Sequence, residues 1–217
     1  MTDIVDPDSL AYAEQYTTPL DGELAELAGW TRTHTASPGM MSGLAEARLL
    51  QALIAASGAR RVLEIGTFTA LGTLAMAAAL ADGGQITTLE VDPDTAATAR
   101  RHIAASPHAA RVKLIEGDAL KSLAELDGPF DVVYIDARKS EYPAYYEAVV
   151  PKLAPSGVLV ADNLYRAGRA LDPSAADEDT RGIREFARLV QADTRTDNVL
   201  LTVGDGLMLA WRRPPGA

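Results

Sequence analysis

The chain has 217 residues, 47% of them hydrophobic, enough to bury the core of one sizeable α/β domain. A net charge of −10 argues against a surface built to hold nucleic-acid phosphates. The absence of cysteine excludes a disulfide framework and a thiolate zinc site.

The first stretch, MTDIVDPDSLAYAEQY, is too acidic and polar for a signal peptide. The Ala-rich run 71–81 is too short to span a bilayer. A cytoplasmic protein with no membrane partner is the expectation. Residues 10–16 and 23–30 read as short helices broken by Thr17-Thr18-Pro19. The Thr-, Ser-, Gly- and Pro-rich stretch 31–43, with Met40-Met41, reads as a loop, either covering a site or simply connecting elements. Residues 1–43 thus form an N-terminal helical and lid segment of a single domain, 1–217.

Residues 44–57 are helical, with Leu50, Leu53 and Ile54 on one face and Gly58 as the stop. Strand and helix then alternate: strand 61–65, helix 71–81, strand 86–91, helix 93–105, strand 112–116, helix 119–126, strand 132–135, helix 142–153, strand 158–161. Such alternation predicts a doubly wound, mostly parallel sheet. A helix over 175–193 follows, then strands 199–203 and 207–211. Gly204-Asp205-Gly206 is too short for a parallel crossover, so these last strands form an antiparallel hairpin. That reversed strand separates the chain from an ordinary dinucleotide-binding dehydrogenase, as does the lack of a GxGxxG turn.

The chemistry sits at strand ends. Strand 132–135 runs into Asp136 and strand 158–161 into Asp162 and Asn163. The helix between makes a βαβ unit, whose parallel strands end on one edge of the sheet. Asp136, Asp162 and Asn163 therefore meet, and an all-oxygen cluster suits a hard cation such as Mg²⁺. Lys139, just past the strand end, is placed to accept a proton beside that cation; the alternative is a surface salt bridge with Glu141. In VLEIGTFTALGT (62–73), Gly66 lets backbone approach a ligand closely and Glu64 suits a cationic amine. Glu90, ending the second strand, is either an acceptor for two ribose hydroxyls or a solvated acid. Asp118 or the Ala119 backbone could meet an adenine amino group, or Asp118 could simply cap a helix. His102 and His108 read as surface residues, whereas His34 lies in the covering segment within reach of an acceptor.

In order and spacing, VLEIGTFT, LEVDPD, GDAL, IDARKSEY, VADN and VGDGL resemble the cation-dependent O-methyltransferases, the class that includes caffeoyl-CoA and catechol O-methyltransferases. The resemblance covers about residues 36–213. It implies S-adenosylmethionine on a Rossmann-like sheet of about seven strands with the last antiparallel, Mg²⁺ (or Mn²⁺/Ca²⁺), a small phenolic or catechol-like acceptor, and a homodimer. Carried over by position, Glu64, Gly66 and Thr67 would hold the methionine end of the cofactor and Glu90 its ribose. Asp118 and Ala119 would lie by its adenine. Met41 and Ser42 would close over it, and Asp136 would touch it. Asp136, Asp162 and Asn163 would bind the metal, with Asp136 and Lys139 catalytic and Lys139 the general base. Met40, Lys139, Asn163 and Arg166 would face the acceptor.

Three positions depart from the family pattern. Ala70-Leu71-Gly72 replaces Gly-Tyr-Ser, which leaves a Gly72 N–H in place of a serine. Arg138 replaces an acid, so Glu64 holds the cofactor amine alone. Arg166 replaces a Trp at the acceptor pocket; either its charge favours an acceptor carrying an anionic group, or it points to solvent or pairs with Asp172, Asp177 or another nearby acid. The competing readings are a metal-independent methyltransferase acting on another group and a non-catalytic cofactor-binding protein.

Overall fold

The computed structural model describes residues 6–213; part of the acidic N-terminal stretch, residues 1–5, lies outside them. The strands are β1 (Arg61–Ile65), β2 (Gln85–Glu90), β3 (Val112–Glu116), β4 (Phe130–Ile135), β5 (Leu153–Ala161), β6 (Thr196–Leu201) and β7 (Leu207–Arg212). They form one sheet in the order β3-β2-β1-β4-β5-β7-β6. All pairs among β1 to β5 are parallel, and β7 runs antiparallel to both β5 and β6. The reversed C-terminal strand is therefore present as expected.

The central strands are apolar on both faces because helices cover both. Leu63, Ile65, Val133 and Ile135 pack on one face with Tyr142, Tyr146 and Phe186. Val62, Val132 and Tyr134 pack on the other with Leu50, Ile54 and Met76. This strict alternation is the period of two that a strand imposes. The helices are α1 (Pro7–Gln15), α2 (Gly22–His34), α3 (Leu44–Ser57), α4 (Leu71–Ala79), α5 (Pro93–Ala105), α6 (Ala119–Glu125), α7 (Tyr142–Val149) and α8 (Glu178–Ala192). Among the described residues, no helix is long and apolar enough to cross a membrane.

Several boundaries differ from the sequence expectation. Residues 31–34 are the last turn of α2, not loop. Leu24, Leu27, Ala28 and Thr31 form its buried face, and the Thr31 hydroxyl donates to Thr69 Oγ1 at 2.9 Å. The helix expected over 142–153 stops at Val149, because Pro151 cannot continue it; a short 3-10 turn leads into β5, which starts at Leu153 rather than 158. Helix α8 starts at Glu178, not 175, where the Asp177 carboxylate caps Thr180 N at 3.0 Å. Strand β6 lies three residues before the expected start, since Thr196 is buried and meets the Tyr146 hydroxyl at 2.8 Å, while Val199 and Leu200 are exposed. His102 is not a free surface residue: its Nδ1 lies 3.1 Å from Thr69 O and its ring meets Trp30 edge-on at 4.5 Å. His108 is half-buried, 3.7 Å from Glu23.

The chain leaves β1 toward β2 and β3, then returns to β4 and β5 on the other side. The crevice at this reversal, above the carboxyl ends of β1 and β4, is where open α/β sheets take ligands.

Candidate functional site

A cavity of about 1100 Å³ occupies that crevice. Its far wall is the segment 34–43, so that segment covers the cavity instead of merely connecting helices. Every candidate lines it: Met40, Met41, Ser42, Glu64, Gly66, Thr67, Gly72, Glu90, Asp118, Ala119, Asp136, Lys139, Asp162, Asn163 and Arg166, together with His34.

One end is built on β1 and β2. Glu64, 1% exposed, accepts hydrogen bonds from the Thr73 hydroxyl and, at 2.5 Å, from Thr88 Oγ1. Thr67 Oγ1 lies 2.6 Å from Thr88 Oγ1, so Thr67 spends its hydroxyl on this chain. Burial pushes the Glu64 carboxyl up to about 8, against the two hydroxyls that favour its charged form and assisted by the charges of Asp136 and Glu90. A Cβ on Gly72 would stand 3.0 Å from Glu64 Oε1 and 3.2 Å from Ser42 Oγ. The missing side chain at this position leaves the space between Glu64 and the covering segment open. Gly66 has φ +102°, and a Cβ there would collide with the Asp136 carbonyl. Glu90 accepts from Phe68 N at 2.9 Å and from Asp92 N at 3.1 Å. It thus holds the glycine turn as well as facing the cavity. Asp118 caps α6 by accepting from Lys121 N at 2.9 Å, the role that competed with adenine contact.

The other end is built on β4 and β5. Their register pairs Ile135 with Ala161, which brings Asp136 and Asp162 side by side. Asp162 is 2% exposed. It accepts from Asn163 N at 2.6 Å and from the Tyr134 hydroxyl at 3.2 Å. Burial, with the negative charges of Glu46 and Asp136, holds its carboxyl well above the usual carboxylate range. Lys139 Nζ lies 2.6 Å from Asp136 Oδ1 and 3.0 Å from the Tyr142 hydroxyl. Its partner is thus Asp136, not Glu141, which pairs with Arg138 at 2.9 Å.

No group of three or more His, Cys, Asp or Glu side chains converges as a metal site among the described residues. The donors at this end are two carboxylates and the Asn163 amide. An oxygen-only set containing a buried acid beside a second acid fits a hard divalent cation, which would offset the burial and the neighbouring negative charge that raise Asp162.

Three more acids line this end that the sequence did not single out, Glu46, Asp205 and the Arg166 partner Asp179. Glu46, in the first turn of α3, accepts from Gly43 N at 2.5 Å; burial, with Asp136 and Asp205 nearby, raises its carboxyl. Asp205 accepts from Ala167 N at 2.7 Å, and burial raises it too. Asp205 was visible as part of VGDGL but carried no role. Glu46 reads as an ordinary first-turn acid, and nothing in its spacing marks it.

Of the two readings of Arg166, the structure shows the paired one. Arg166 lines the cavity, but its guanidinium pairs with Asp177 at 3.0 Å and Asp179 at 2.8 Å. Arg138, Lys139 and Arg166 are the Lys and Arg side chains lining the cavity among the described residues, and each is ion-paired with an acid. No unmatched guanidinium stands there to draw an anionic acceptor.

A family model described as O-methyltransferase matches residues 14–213. The chain is 34% identical over 174 residues to a catechol O-methyltransferase from Niastella koreensis, covering 76% of this chain and 79% of that protein. It is 32% identical over 214 residues to an O-methyltransferase from Aspergillus thermomutatus, covering 91% and 90%. The solved O-methyltransferase from Bacillus cereus in complex with SAH matches 94% of this chain and 96% of that one, with a TM-score of 0.86 and 32% identity.

Proposed function

The chain belongs to the O-methyltransferase family, and from that premise we propose that it moves the methyl group of S-adenosylmethionine to one oxygen of a small catechol-like acceptor, with Asp136, Asp162 and Asn163 holding a divalent cation. The observation that supports this reading is the meeting of Asp136, Asp162, Asn163 and Lys139 in the same cavity as Glu64 and Glu90. The cofactor supplies an electrophilic sulfonium methyl, and the cation, Mg²⁺ or Mn²⁺/Ca²⁺, supplies Lewis acidity toward two vicinal oxygens.

The chain's own residues do the rest. Glu64 receives the cofactor amine and Glu90 the ribose, while Met41 and Ser42 close over them. Lys139 takes the acceptor proton. Its ammonium must first lose a proton to water, because Asp136, 2.6 Å away, stays ionised to hold a cation. Met40 offers an adaptable apolar wall. Because Arg166 is already matched, the favoured acceptor is a catechol without a carboxylate or phosphate. The test is transfer of a labelled methyl to catechol and to resorcinol, whose hydroxyls are not vicinal. Catechol is expected to be methylated and resorcinol to stay at background; equal transfer to both would overturn the vicinal-oxygen reading.

A metal-independent transferase is the second reading. The observation favouring it is the Lys139–Asp136 pair, which already gives one of the two carboxylates a cation.

The raised Glu64 carboxyl carries its own prediction. A cationic amine docking beside it lowers its proton affinity, so cofactor binding below about pH 8 releases a proton. Affinity therefore rises with pH up to that point and then levels. Calorimetry in two buffers of different ionisation enthalpy is expected to show this release near neutral pH, and Glu64→Gln is expected to remove it. Buffer-independent enthalpies in the wild type would show that the amine does not meet Glu64.

A further inference from the structure

Helix α8 touches both loops that carry the acidic end of the cavity. One oxygen of Asp179 accepts from the Ser140 N–H at 3.2 Å, and the other accepts from the Arg166 guanidinium at 2.8 Å. Ser140 directly follows Lys139, and Arg166 closely follows Asn163. One turn along α8, a Cβ on Gly182 would stand 2.5 Å from both the Lys139 carbonyl oxygen and Ser140 Cα. No larger residue lets the helix sit this close. A further turn on, Phe186 meets the Tyr142 ring edge-on at 5.5 Å, and the Tyr142 hydroxyl is 3.0 Å from Lys139 Nζ. Positions 179, 182 and 186 share one helix face. Three successive turns of α8 therefore converge on the Lys139 segment.

The loop on the other side needs such a tie. Asn163, Arg166 and Ala167 all have positive φ, 61°, 50° and 50°, a backbone region that side-chain-bearing residues hold only when their surroundings impose it. The Arg166 ion pairs and the Ala167 N–H bond to Asp205 act on this loop together with backbone bonds from Leu164 N to Gly206 O and from Tyr165 N to Asp205 O. An ion pair with a side chain as exposed as Asp179, 37%, adds little to global stability. Its distinctive property is that one carboxylate joins the two loops.

On the basis of the methyl-transfer reading above, we propose that Asp179 and Gly182 are positioning residues: through α8 they fix the Lys139 loop against the Asn163–Arg166 loop and so set where the Lys139 amine stands relative to the acceptor. Arg166 serves this tie, not acceptor choice.

The test uses the full-length protein with Asp179→Ala, Asp179→Asn and Gly182→Ala. Asp179→Ala and Gly182→Ala are each expected to lower kcat by about ten- to a hundredfold, with cofactor Kd and acceptor KM within about twofold of wild type. Asp179→Asn keeps an oxygen for the Ser140 N–H but none for the Arg166 guanidinium, and its kcat is expected to fall between those of wild type and Asp179→Ala. In a Lys139→Ala background, Asp179→Ala is expected to cost nothing further in kcat, because both changes remove the same event; a full additional loss would mean that Asp179 acts elsewhere and would overturn the proposal. Amide exchange provides a readout independent of turnover. Asp179→Ala, or Gly182→Ala if the first variant does not fold, is expected to speed exchange in the 139–142 segment by about tenfold or more while β4 stays protected. Absence of methyl transfer in the wild type would refute the reaction and leave this readout intact. Unchanged exchange in 139–142 would refute the tie, whatever the activity.

Discussion

Replacing Lys139 by alanine is expected to lower kcat for methyl transfer by about 10²–10⁴-fold while cofactor affinity stays within about twofold of wild type. The asymmetry follows from where the side chain lies. Its amine reaches Asp136 and the Tyr142 hydroxyl, at the acidic end of the cavity. The groups assigned to the cofactor amine and ribose, Glu64 and Glu90, are held by other partners on β1 and β2. Truncation would remove the proposed proton acceptor and leave those partners untouched. It also leaves Asp136 without its cation, which favours a metal in that place over the free site. Part of the rate is expected to return at high pH, where the acceptor hydroxyl ionises unaided. A variant with wild-type rates at neutral pH would reduce Lys139 to a partner in a salt bridge.

Gly66→Ala is expected to damage both the fold and cofactor binding. At φ +102° the backbone occupies a region that alanine rarely adopts, and the added methyl would meet the backbone carbonyl of Asp136. Neither obstacle is a flexible side-chain tip that could swing away. Strain of this kind costs about 1–3 kcal/mol, and overpacking against fixed atoms about 1–3 kcal/mol more. In a protein of this size the sum lowers the melting midpoint by roughly 10 °C. Relaxation must move either the glycine turn, which Glu90 holds through Phe68 N, or the Asp136 end of β4. Either shift separates the two ends of the cavity. The expected result is a lower midpoint together with loss of measurable cofactor binding. An unchanged midpoint with wild-type affinity would show that the turn tolerates a side chain and does not gate the site.

How much of this was legible depended on whether a residue's place follows from local rules. Asp136, Asp162 and Asn163 were placed by one rule, that a βαβ unit ends both strands on the same edge, and the register of Ile135 with Ala161 bears that rule out. The reversed β7 followed from a linker too short to cross over. Glu46 and Asp205 were not legible, because each reaches the cavity through contacts between distant segments. Glu46 stands so close to Gly204 that a Cβ there would collide with it. Arg166 had several acids within reach in sequence, and only the path of the 163–177 loop selects Asp177 and Asp179. The apolar run Val199-Leu200 drew the expected strand too far along the chain, whereas the actual anchor is buried Thr196. Ser42 had no periodic signal at all and entered through the family resemblance alone.

The most direct test is labelled methyl transfer from S-adenosylmethionine to catechol by protein stripped with excess chelator, then resupplied with Mg²⁺, with Asp162→Ala run alongside. Transfer is expected to fall to background in chelator and return with Mg²⁺, and Asp162→Ala is expected to stay at background while still binding cofactor. Full turnover in excess chelator, with metal shown to be absent, would contradict the cation-dependent account and assign the reaction to Lys139 and its carboxylate partners alone.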